Sequence, residues 1–115
     1  MAKASTGPVS SATNSALDGA SASARFNGPV GIAVAANGDI YIADRNNHCI
    51  RKISGGTVST IAGQAGTPGH TNGTGTAARF TAPYNLIIDG NDLLVADYGN
   101  AAIRKINLSN MAVTD

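Results

Sequence analysis

The chain has 115 residues and a mass of 11.5 kDa, which is room for one domain and not for two. Charged residues make up 13% and the formal net charge is +1, with no run of like charge, so long-range attraction to nucleic acid or to an anionic membrane is excluded as a driving force. A single cysteine, Cys49, excludes an internal disulfide framework and any metal site built on paired cysteines.

From Met1 to Ser23 the chain is rich in Ala, Ser, Thr, Asn and Gly, and beyond Met1 its only large apolar side chains are Val9 and Leu17. This stretch has the composition of a low-complexity leader, without the apolar core of a secretion signal. Within it, Gly7 to Ala12 is the candidate for an outer strand of a shared blade. No window has transmembrane length, and a soluble chain is expected. The compartment is left open, an exported origin included. Beyond residue 23, short apolar runs alternate with Gly, Asn, Asp and Pro, the pattern of strands joined by tight turns. Ile32–Val34, Ile40–Ala43, Ile50–Ile53 and Val58–Ile61 are four expected strands. Asn37-Gly38, Asn46-Asn47 and Gly55-Gly56 lie between them, and these residue types tolerate the positive φ that hairpin loops need.

The pattern then returns. Ala24-Arg25-Phe26 recurs as Ala78-Arg79-Phe80, and Pro29 as Pro83. Ile42-Ala43-Asp44 recurs as Val95-Ala96-Asp97, and Ile50-Arg51-Lys52-Ile53 recurs unchanged as Ile103-Arg104-Lys105-Ile106. The offset slips by one residue where Asn37-Gly38-Asp39 becomes Gly90-Asn91-Asp92, so the deletion falls in a turn. A period of about fifty residues made of four short strands is that of a propeller blade. The expected fold is all-β, with two four-stranded antiparallel blades. Residues 24–79 hold the first blade and its link, and 80–115 hold the second, with an incomplete outer strand.

Phe26-Asn27-Gly28-Pro29 through Ile40-Tyr41-Ile42-Ala43-Asp44 and Asn47-His48-Cys49-Ile50-Arg51-Lys52-Ile53 resemble an NHL repeat. The likeness to the bacterial form extends through Val58 to Gly63 and the Gly-rich link that follows. The family usually has Arg where Cys49 stands, and the second copy reads Gly99-Asn100-Ala101-Ala102, without the His. The resemblance implies a propeller of six blades, three times what this chain holds.

A lone pair of blades leaves two sheet faces in water. At roughly 400 to 600 Å² of apolar surface per face, the burial forgone is about 10 to 15 kcal/mol each, against a total stability of about 5 to 15 kcal/mol for a small domain. Self-association is therefore expected, with three copies closing a six-bladed ring. The alternative is a fragment or an excised blade pair of a larger propeller.

The residues of chemical interest have plainer readings. Asp44 and Asp97 recur in the same context, which favours turn capping over a shared cation site. His48 reads as a turn residue and Cys49 as a small strand residue. Arg51-Lys52 and Arg104-Lys105 read as a solvated surface pair. His70, Thr71 and Asn72, in the longest loop, are the candidate binding loop. No catalytic residue, metal ligand or cofactor is expected. The leading function is a non-catalytic module for protein or glycan recognition or for scaffold assembly. Against it stands a propeller hydrolase or lyase with a channel metal, for which Asn85 is the only ligand-capable side chain on the innermost strands.

Overall fold

The computed structural model describes residues 17–20 and 23–115, and these form two successive antiparallel sheets with no α-helix among the described residues. The proposed outer strand at Gly7 to Ala12 lies outside the described residues.

In the first sheet the strands are β1 (Gly19–Ala20), β2 (Pro29–Val34), β3 (Ile40–Asp44), β4 (Cys49–Ser54) and β5 (Thr57–Gly63). The second holds β6 (Gly73–Thr74), β7 (Pro83–Asp89), β8 (Asp92–Asp97), β9 (Ala102–Asn107) and β10 (Ala112–Thr114). The strand orders are β1-β5-β4-β3-β2 and β6-β10-β9-β8-β7. Each blade is thus a four-stranded meander with a fifth strand along its outer edge, one more than expected. The addition comes from the segment that precedes each blade, which pairs Gly19 with Val58 in the first and Gly73 with Val113 in the second. Two-residue strands of Gly, Ala and Thr carry no alternation of polarity, so nothing in their composition announces a strand.

Turn chemistry explains the one-residue slip. In the first blade Ala35 N–H donates to Asp39 O across a loop of Ala36, Asn37 and Gly38. In the second, Asp89 pairs directly with Asp92 around Gly90-Asn91, with Gly90 at φ +61°. The shorter hairpin leaves β7 and β8 in the register of β2 and β3, because the deleted residue lay outside the ladder.

The core lies between the blades. Tyr41, Ala43 and Ile50 on one face of the first blade pack with Phe80, Leu86, Leu93, Val95 and Ile106 of the second. A smaller cluster, Ala24, Phe26, Ile42, Ile53 and Val58, fills the outer half of the first blade's other face. At the junction the innermost strands approach so closely that a Cβ on Gly31 would lie 2.7 Å from Tyr84 O and 2.8 Å from Asn85 Cα. Only glycine fits that contact.

Candidate functional site

The most strongly built polar feature occurs twice. Asp44 is fully buried at the end of β3, where its Oδ1 accepts the Asn27 N–H at 2.8 Å. Its Oδ2 accepts the Asn47 side-chain amide at 2.8 Å and Arg51 Nη1 at 2.9 Å. Arg51, also fully buried, donates onward to the carbonyls of Arg25 and Leu17 and to Asp18 Oδ1. Its guanidinium lies 4.7 Å from the Phe26 ring centroid. The same arrangement is rebuilt around Asp97 and Arg104. Asp97 accepts from Thr81 N–H, Asn100 and Arg104. Arg104 donates to the Arg79 and Thr71 carbonyls and to Asn72 Oδ1, over the Phe80 ring.

Each arginine thus ties the inner strands to the edge strand and to the segment that leads into the blade. We call this unit the latch. It accounts for the short fifth strands, which have few ladder bonds of their own. It also corrects the reading of Arg51 and Arg104 as solvated surface charges: both side chains are buried, and only the neighbouring lysines face outward. Arginine suits the role because its planar fork can serve several acceptors at once. The turn-capping reading of the aspartates is corrected as well: neither caps its own turn, and the backbone N–H each accepts comes from the segment that leads into the blade, Asn27 for Asp44 and Thr81 for Asp97. Burial raises the Asp44 carboxyl above the ordinary carboxylate value, against the downward pull of Asn47, the Asn27 N–H and Arg51.

His48 sits in the left-handed region at φ +59°, as the turn reading expects. Its Nδ1 accepts the Ala82 N–H at 3.0 Å, which makes it a clamp from the first blade to the start of the second. Burial lowers the ring's pKa below the ordinary histidine value, while Asp97 pulls the other way. Because the folded value is the depressed one, the clamp's contribution is complete above the unfolded value of about 6.5 and is lost as pH falls through the folded value. Urea unfolding at pH 7.5 and 5.5 is expected to show a larger loss in the wild type than in His48→Asn, whose side chain tolerates the same backbone conformation.

Cys49 is buried on β4, and burial, its largest cause, pushes the thiol up to about 12. It is expected to resist iodoacetamide at pH 8 in the folded protein and to label fully in denaturant, read by intact mass.

The loop residues are placed separately. His70 Nε2 lies 2.9 Å from Asp115 Oδ2 at the surface. The Thr71 carbonyl and the Asn72 amide oxygen belong to the second latch. Asn85 is exposed, its Oδ1 accepting the N–H of its own neighbour Leu86. Among the described residues no group of three or more His, Cys, Asp or Glu is placed to hold a metal ion. No described helix is long and apolar enough to cross a membrane.

What the polar residues leave exposed is apolar and sorted by face. On the free side of the first blade, Val30, Ile32 and Val34 of β2 stand open, Ile32 at 60% exposure and Val34 at 64%. On the free side of the second, Asn85, Leu86, Ile87, Leu94, Ala96 and Ile103 line a shallow apolar depression, with Ile103 at 63% exposure. At the rim Tyr84 and Tyr98 are exposed, with ring centroids 5.8 Å apart, and Arg45 reaches across the blade junction to lie over Tyr84. The sequence predicts the two bare faces but not the rim pair, although Tyr84 and Tyr98 are visible as the only additions of large aromatics in the second copy.

Residues 26–53 match the NHL repeat. Protein SUPPRESSOR OF QUENCHING 1, chloroplastic, of Arabidopsis thaliana is 38% identical over 95 residues, covering 80% of this chain and 9% of that protein. A structural genomics protein of unknown function from Bacteroides thetaiotaomicron superposes with a TM-score of 0.77 at 34% identity, over 88% of this chain and 25% of that one. An auxiliary nutrient binding protein from the same organism superposes with a TM-score of 0.68 at 30% identity, over 79% of this chain and 25% of that one. The chain therefore spans a quarter of each of these structures and about a tenth of the curated relative. With the NHL match on the first blade and the same strands and latch rebuilt in the second, the chain is a pair of β-propeller blades of which the first carries the NHL repeat.

Proposed function

We propose that this blade pair is a non-catalytic binding and assembly module that works through its sheet faces. The observation that carries the reading is the division of labour among its side chains: the buried charges are spent on latches inside each blade, while most of the exposed large apolar side chains, Val30, Ile32, Val34, Ile87 and Ile103, gather on the two outer faces. A surface of this kind is suited to covering by protein, since it offers area rather than reacting groups. Three copies around a rotation axis supply the six blades that the family resemblance implies. Sedimentation equilibrium of the 115-residue chain tests this. A mass near three times 11.5 kDa is expected, and a single-chain mass at every concentration counts against it.

A second reading, glycan recognition at the rim, is favoured by the exposed Tyr84–Tyr98 pair with Arg45 beside it, because aromatic faces suit the C–H faces of sugars. The 30% identical neighbour named as a nutrient binding protein agrees with a binding role. Oligosaccharide titration followed by tyrosine fluorescence, with Tyr98→Ala as control, tests this reading; no response rejects it.

A further inference from the structure

We infer that the open face of the second blade receives the first blade of another copy of this chain, head to tail, and that Asn85 acts as a spacer which keeps this seam looser than the junction inside the chain. The inference rests on the assembly reading above and names the partner.

The repeat supplies the argument. Inside the chain, Ala33, Tyr41, Ala43 and Ile50 of the first blade face Leu86 and Ile88 of the second. The residues at the first four positions in the second blade are Ile87, Leu94, Ala96 and Ile103, which form its open face. The residues at the last two positions in the first blade are Ile32 and Val34, which form the other open face. The two bare surfaces are therefore the two halves of an interface the molecule already builds once, and a second copy brings the missing half to each. At the rim, Arg45 packs over Tyr84, and their counterparts across a seam are Tyr98 and Val30, two exposed apolar side chains.

Two positions break the equivalence. Asn85 occupies the place of Gly31, where even a Cβ would come within 2.7 Å of the facing carbonyl. A second copy therefore cannot seat its innermost strand against Asn85 as β7 seats against Gly31. Ala101 occupies the place of His48, so the seam also lacks the imidazole clamp. Both differences weaken the contact between copies relative to the contact within one.

Sedimentation velocity over a concentration series tests this with four variants at exposed positions. Ile32→Asp damages one face and Ile103→Asp the other, so each alone is expected to sediment as a single chain. Mixed, they retain one intact pair of faces and are expected to form a heterodimer that grows no further. Asn85→Gly is expected to tighten association about five- to tenfold, whereas Asn85→Ala, which loses the same amide but keeps the Cβ, is not. Association of the wild type without rescue in the mixture overturns the head-to-tail partner. Equal effects of Gly and Ala overturn the spacer. A wild type that never associates overturns the assembly reading itself, and this inference with it.

Discussion

Arg104→Met is expected to destabilise the chain by about 3–5 kcal/mol, read as a lowered urea midpoint with an unchanged slope. Both Arg104 and Asp97 are fully buried, and the guanidinium donates to Asp97, to the Arg79 and Thr71 carbonyls and to Asn72. Methionine fills much of the same volume beside Phe80 but supplies none of these donors. An uncompensated carboxylate is then left in the interior, and that desolvation, more than the lost attraction, sets the size of the effect. Adding Asp97→Leu removes the stranded charge and should recover part of the loss. Recovery stays incomplete because the Thr81 N–H loses its acceptor and the Asn100 amide keeps only the Gly69 carbonyl. Arg104→Lys should fall between, since one ammonium group cannot span acceptors on both sides of the latch. Midpoints for Arg104→Met within 1 kcal/mol of wild type would show that the latch is not what holds the edge strand.

Much of this architecture was legible in the sequence, and its limits are physical. The four inner strands of each blade announce themselves because their apolar residues are flanked by Gly, Asn and Asp, and because the whole unit appears twice. The fifth strands do not, since the residues just ahead of Gly19-Ala20 and Gly73-Thr74 are held by arginines about thirty residues away, and the strands have no large apolar side chains of their own to announce them. The latch itself was half visible. Asp44 with Arg51, and Asp97 with Arg104, recur at one fixed spacing, but a repeated charge on a polar surface has the same signature as a repeated charge in the interior. Only the packing of Phe26 and Phe80 against the guanidinium groups decides between them. His48 was readable as a turn residue from its neighbours, whereas its bond to Ala82 depends on how one blade is set against the next, and no local pattern encodes that. For the same reason the candidate site moved. Thr71 and Asn72 lie in a long loop with the composition of a binding loop, yet their oxygens complete a latch, and the open surface is the face built around Ile87 and Ile103.

Phe80→Ala is expected to cost about 3–5 kcal/mol and to loosen the two blades from one another. The ring is fully buried in the cluster shared by both sheets, so truncation leaves a cavity bordered by the first blade's Ile50, Ile61 and Ala62 and by the second blade's own residues. It also removes the aromatic face beneath Arg104 and so weakens the second latch. Phe26→Ala is the informative comparison, because its ring is buried to the same extent but belongs to a cluster confined to the first blade. The two variants should therefore differ in where protection from hydrogen exchange is lost. Phe80→Ala should expose amides of β3, β7 and β8 together, while Phe26→Ala should expose β1, β4 and β5 and spare the second blade. Identical exchange patterns for the two would mean that the blade pair unfolds only as one block, and that the shared cluster has no separate role in joining its halves.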